Sequence, residues 1–119
     1  MENVTTAHIS LNEALRRLLQ TDKRFTTLFE HGTLQVEIYA PHGTDPQTPH
    51  SRDEVYVVAR GNGMYFNGST RRPFQPGDLL FAPAGSAHRF EDFTEDFAVW
   101  VVFYGPEGGE VPGNGVVRG

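Results

Sequence analysis

Between Ile9 and Gln20 the apolar positions Leu11, Leu15, Leu18 and Leu19 fall at i, i+4, i+7 and i+8, the 3.6-residue period of an amphipathic α-helix. Ser10 followed three residues later by Glu13 makes a capping-box pattern, in which each side chain can satisfy a backbone N–H that the first turn leaves unpaired. The apolar stripe needs a surface to cover, either the outside of its own domain or a neighbouring subunit. From Arg24 onward the pattern changes to short runs of aromatic and β-branched residues broken by Gly, Pro, Asn and Asp, which is how an all-β sandwich or barrel reads. Strands are expected near 25–30, 33–40, 54–60, 63–67, 71–74, 79–82, 87–91 and 97–104. Asn67-Gly68 should join two antiparallel strands, because both residues tolerate the positive φ of a tight hairpin turn. Pro76-Gly77-Asp78 and Pro83-Ala84-Gly85 mark corners between the strands that follow.

The 119-residue length suits one hydrophobic core rather than two. With 38% hydrophobic residues, nine Phe, four Tyr and one Trp, there is enough apolar surface to offset chain entropy, so a folded domain is expected. The anticipated organisation is an N-terminal helical extension over residues 1–23, a barrel over 24–105 and a flexible, loosely docked tail over 106–119, where Gly is frequent and apolar content low. A formal charge of −5, with scattered Lys and Arg, argues against binding nucleic acid. The absence of cysteine removes disulfides, thiolate nucleophiles and Cys-based zinc sites, so any metal must be held by nitrogen and oxygen. The longest apolar run, Phe97 to Tyr104, is strand-length, and the N-terminus lacks the pattern of a signal peptide. The expectation is a soluble, cytoplasmic protein with no membrane contact.

Two clusters carry chemistry: Gln47-Thr48-Pro49-His50-Ser51-Arg52-Asp53-Glu54 and Pro83-Ala84-Gly85-Ser86-Ala87-His88. In extended chain, an even separation puts His50 and Glu54 on one face and aims Ser51 and Asp53 to the other. His88 opens a later strand, and a barrel can bring distant strands face to face across its interior. Two imidazoles and one carboxylate could then meet around an ion.

In these positions the chain resembles the cupin superfamily, in its small, single-domain, conserved-barrel form. The first cupin motif reads Gly, five residues, His-x-His, three or four residues, Glu, six residues, Gly; His50, Glu54 and Gly61 match its second His, its Glu and its closing Gly. Thr48 stands where the leading His would be, and His42 where the opening Gly would fall, one residue before Gly43. The second motif reads Gly, five residues, Pro-x-Gly, two residues, His, three residues, Asn; Gly77, Pro83, Gly85 and His88 fit in register, with Asp92 in place of Asn. Two spaced motifs in order are a far stronger signal than one short pattern. The resemblance implies a double-stranded β-helix, that is, a jelly-roll barrel, usually dimeric, with a metal on the inner face of its strands. It implies His50, Glu54 and His88 as ligands of one divalent ion: Fe, Mn, Ni, Co or Zn.

The competing readings are specific. His50 could be a barrel histidine hydrogen-bonded to Glu54 with no metal, since a buried carboxylate needs some partner. Gln47 could offer a fourth oxygen, but its odd offset from His50 would need a bulge or turn, and it is left out of the ligand set. Tyr56, Phe66, Phe81, Phe90 and Trp100 are read as core aromatics, and Arg60, Arg71, Arg72 and Arg89 as solvated surface. His8, His31 and His42 remain unassigned. The leading functional expectation is a metal-dependent enzyme, dioxygenase- or isomerase-like, whose ion takes a small oxygenated substrate at its open positions. The alternative is a non-catalytic small-molecule-binding or sensory module, motivated by Thr48. A third possibility is a metal-free epimerase or isomerase with His50 or His88 as general base. Expected partners are a small molecule and a second copy of the chain, as a homodimer.

Overall fold

The computed structural model describes residues 6–111 and 117–118. Among the described residues one helix, α1 (Leu11–Leu19), is followed by eight strands: β1 (Phe25–His31), β2 (Leu34–Tyr39), β3 (Asp53–Arg60), β4 (Gly63–Phe66), β5 (Arg71–Phe74), β6 (Leu79–Ala82), β7 (Arg89–Glu91) and β8 (Ala98–Tyr104). They form two antiparallel sheets, β1-β2-β8-β3-β6 and β5-β4-β7, the jelly-roll barrel expected of the sequence. Every anticipated strand is present, with ends shifted by a residue or two. The shift that matters is at β7, which begins at Arg89 and leaves His88 on the connection just before it.

The larger sheet is covered on both faces. Between the two sheets lie Tyr56, Val58, Tyr65, Phe74, Ala82, Phe90, Phe97, Val99 and Val101, whose rings meet edge-on or tilted, as at Tyr56–Phe90 with centroids 4.9 Å apart, an arrangement favoured by the ring quadrupoles. On the outer face a second cluster joins Ala14 and Leu18 of α1 to Leu28 and Ile38, with Val36 and Trp100 packed against it. The helical stripe is thus taken up by the chain's own sheet. Leu19, counted in that stripe, is 85% exposed; the buried row runs Leu11, Ala14, Leu15, Leu18, and Leu19 lies past its edge at the last helical position. Ser10 caps the helix by accepting the Glu13 N–H at 3.1 Å. The reciprocal half of the capping box is not made: the Glu13 carboxylate pairs instead with Arg16 and with Arg17 at 2.9 Å.

Two turns show local sequence at work. The β4–β5 connection is a four-residue loop rather than a two-residue turn: only Gly68 takes positive φ, at 101°, while Asn67 Oδ1 accepts the N–H groups of Ser69 and Thr70 at 3.1 and 2.9 Å. Gly61, the closing glycine of the first motif, has φ 86°, and a Cβ there would stand 2.6 Å from Phe97 Cα, so it is required both by conformation and by close backbone approach. Asp92 is the one non-glycine residue with positive φ among the described residues, at 50°, a conformation that Asp and Asn adopt more readily than other side chains. The start of the expected tail is docked: Gly108 N–H donates to the Ser51 carbonyl at 2.6 Å and Glu110 N–H to Asp53 Oδ2 at 2.8 Å. Residues 112–116 and 119 of that tail lie outside the described residues.

Candidate metal centre

Two loops bring the motif residues together. The Gly85 N–H donates to the His50 carbonyl at 2.7 Å, and the Ala84 N–H donates to Asp53 Oδ1 at 2.9 Å, tying the Pro83–Gly85 corner to the segment entering β3. Asp53 does point away from the barrel interior, as its parity requires, yet it is only 5% exposed; its two oxygens knit the second motif and the start of the tail onto β3. Glu54 then enters the interior from β3, and Gly85, by its positive φ of 78°, turns the chain toward His88.

His88 and Glu54 are buried, and His50 is half-buried beside them. His88 Nε2 lies 3.1 Å and His50 Nε2 3.9 Å from Glu54 Oε1. Ligand atoms of all three residues fall within 4.8 Å of one another, a cluster that could hold a metal ion. The donor atoms fit such an ion. Glu54 Oε1 and His88 Nε2 are buried 3.1 Å from each other and make no hydrogen bond to any other group among the described residues, which leaves a lone pair on each that an ion would satisfy. On the other side of the ring, His88 Nδ1 lies 2.9 Å from the Ser86 carbonyl. A carbonyl only accepts, so Nδ1 carries the proton and the neutral ring presents its Nε2 lone pair to the interior, the arrangement typical of a metal-binding imidazole. In the metal-free protein, burial opposes protonation of His88 most strongly, but the Glu54 carboxylate, the Ser86 carbonyl and Asp45 outweigh it and raise its pKa.

Gln47 belongs to this centre, against the parity argument. It lies in the loop before β3, where strand alternation does not apply, and its Oε1 is 3.3 Å from His50 Nε2. Its amide is oriented by Asp45, whose Oδ2 accepts Gln47 Nε2–H at 2.6 Å, leaving the oxygen to face His50 and to accept the Tyr56 hydroxyl at 3.0 Å. Burial first, and then Glu54, push the Tyr56 phenol well above its usual pKa, so it stays a donor. Asp45 is itself buried and also takes the Phe90 N–H at 2.8 Å and the Tyr39 hydroxyl. Thr48, at the position of the family's leading His, is exposed. The expected core aromatics divide: Tyr56 and Phe90 fill the interior, Trp100 the outer cluster, Phe81 is 48% exposed, and Phe66 lies between the Arg71 and Arg89 guanidinium groups on the surface.

Gln47, His50 and Glu54 line a cavity of about 760 Å³ on the inner face of the larger sheet, within the size range of small-molecule sites. Nothing in the motif search pointed to Glu37 of β2, which lines the same cavity and is buried. The signal was the alternation of Gln35, Glu37 and Tyr39 with Val36 and Ile38. Burial foremost raises the Glu37 pKa above its usual 4.5, while the hydrogen bond from Gln35 opposes the rise and Glu54 adds to it. A carboxyl with a raised folded-state pKa costs nothing below its unfolded value and costs stability as pH climbs from that value through the folded one. Glu37→Gln is therefore expected to melt above wild type at pH 7, with the gain shrinking to nothing as pH falls below 4.5, the usual value; thermal denaturation across pH checks it.

A short antiparallel jelly roll with two histidines and a carboxylate gathered inside it defines the class of small barrel proteins with an interior metal-type centre. Residues 35–104, more than half the chain, match the cupin domain family, and the chain belongs to that family. An uncharacterized protein of Streptomyces coelicolor is 33% identical over 99 residues, covering 82% of this chain and 94% of the relative. Among solved structures, a Cupin 2 conserved barrel domain protein from Salinispora arenicola matches with a TM-score of 0.58 at 20% identity over 68% of this chain and 74% of that one. KdgF from Halomonas matches with 0.60 at 19% identity over 67% and 76%. At these identities the structures share the fold. No helix among the described residues is long and apolar enough to cross a membrane.

Proposed function

We propose that the protein is a metal-dependent enzyme acting on a small oxygenated molecule, with His50, Glu54 and His88 as the ligands of one divalent ion in the cavity wall. The observation that carries this is the convergence of two buried ligand atoms, Glu54 Oε1 and His88 Nε2, 3.1 Å apart and bonded to no other group among the described residues, beside His50, while the Ser86 carbonyl holds the other nitrogen of His88. A two-nitrogen, one-oxygen set suits Fe, Mn, Co, Ni or Zn, and such an ion supplies a Lewis acid to a chelating substrate. The chain's own residues do the rest: Gln47 Oε1 stands near enough to add an oxygen donor, Tyr56 fixes that amide oxygen, and the cavity admits a small molecule. Thr48 favours a second reading, in which the same centre captures a small molecule without turning it over, because the position of one usual ligand carries an exposed side chain.

Elemental analysis of tag-free protein purified without chelator is expected to give near one ion per chain, and less than about a tenth of that in Glu54→Ala and His88→Ala, since loss of a primary ligand is at least as damaging as the 10–100-fold effect of losing a supporting one. Folded wild type that neither carries nor takes up Fe, Mn, Co, Ni or Zn would overturn the metal reading. With metal bound, recovery of a ligand unchanged after incubation would favour the binding module over the enzyme.

A further inference from the structure

The cavity beside the candidate metal centre carries three cations in its lining, in a chain of net charge −5. Lys23, Arg24 and Arg52 line it, and none of the three forms an ion pair among the described residues. Three acids share the lining: Glu54 faces the histidines, Glu37 is buried and accepts from Gln35 and Thr27, and Glu107 is exposed. Arg52 is the best placed of the cations. Its Nε donates to the Gly105 carbonyl at 3.1 Å, which immobilises the guanidinium, yet its Nη2 is buried with no acceptor among the described residues. A half-buried guanidinium with a spare donor calls for an oxyanion.

We infer that this centre takes a small dianion whose one end chelates the ion and whose other end, a carboxylate or a phosphate-type group, is received by Arg52, with Lys23 and Arg24 drawing it in. The inference rests on the metal reading for its first end only. Arg52, on the bend that leads into β3, and Glu54, the second residue of β3, line the same cavity. The guanidinium edge favours planar, two-point pairing with a carboxylate, and the positive charge in the lining raises the local concentration of anions.

The test is isothermal titration of manganese-loaded and chelator-treated protein with malonate, succinate, glutarate and 3-phosphonopropionate, and with neutral succinamide, using wild type, Arg52→Gln and Arg52→Lys. Folding is checked by circular dichroism and manganese content is measured in the same samples. Succinate or its neighbours should bind at least about tenfold tighter than succinamide, and Arg52→Gln should weaken succinate binding by about tenfold while leaving succinamide binding unchanged, with Arg52→Lys between the two, as expected for loss of one charge-assisted pair. Comparison of succinate with 3-phosphonopropionate distinguishes a carboxylate subsite from a phosphate-type one. Manganese-loaded protein that binds succinamide as well as succinate, or Arg52→Gln that binds succinate as wild type does, would overturn the inference and leave the metal reading standing. Protein that takes up no metal yet binds succinate through Arg52 would overturn the metal reading and support the anion subsite.

Discussion

Asp45→Ala is expected to destabilise the protein by about 3 kcal/mol or more and to lower its metal content with it, the largest effect anticipated for any residue outside the three ligands. Asp45 lies in the loop after β2, 8% exposed, and its two oxygens accept the Phe90 N–H, the Gln47 amide and the Tyr39 hydroxyl. Truncation leaves these donors buried and facing nothing, each costing about 1–3 kcal/mol. It also frees the Gln47 amide to turn, removing the oxygen from beside His50. Asp45→Asn keeps one acceptor and should recover part of the stability. Thermal denaturation with elemental analysis of the same samples checks this; a loss below about 1 kcal/mol would show that the loop is held by something other than this carboxylate.

The second large effect is metal-linked stability. An ion that binds the folded chain alone stabilises it by about 2.7 kcal/mol when free metal is a hundred times Kd, which for a domain of this size moves Tm by about 10 °C. Chelation should lower Tm by that order, and His88→Ala should show no response to metal. The sign with pH follows from His88. Its pKa is raised in the metal-free fold above its usual 6.5, so the stability it contributes there is fully present below that value and is lost as pH rises through the folded-state pKa. The metal needs the same nitrogen deprotonated, so its contribution grows over that same window. The gap between loaded and chelated Tm should therefore widen from pH 6 to pH 8. A gap that is constant or shrinks over this range would count against His88 as a ligand.

Much of the centre was legible because its residues match, in order and spacing, the two motifs of the family that the sequence resembles. His50, Glu54, Gly61, Gly77, Pro83, Gly85 and His88 are each separated by a strand or a corner of fixed length, and the structure gathers His50, Glu54 and His88 within one cluster. Gln47 and Asp45 were not legible for the opposite reason. They sit on a loop, where side-chain direction depends on contacts with β2 and β7 rather than on the chain's own period, so a rule of alternation does not foresee the Gln47 oxygen 3.3 Å from His50 Nε2. Asp53 is a milder case: its direction followed from parity, but its burial came from the Ala84 and Glu110 amides that fold over it.

The amino-acid pattern alone determined the elements. A helical period with its Ser10 cap, runs of β-branched and aromatic residues between Gly and Pro corners, and ligand-type residues at motif spacing define an eight-stranded barrel with an interior metal-type centre. Only the tertiary structure decided which face of β2 looks inward. Strand alternation sets Val36 and Ile38 against Gln35, Glu37 and Tyr39, and the usual expectation that the apolar phase faces the barrel fails because α1 builds a second core on the outside of the sheet. Period-two patterning shows that two faces differ, but not which one a helix will cover. Once α1 takes the apolar face, the polar phase is turned into the cavity, and that is what sets Glu37 in the lining it shares with His50 and Glu54.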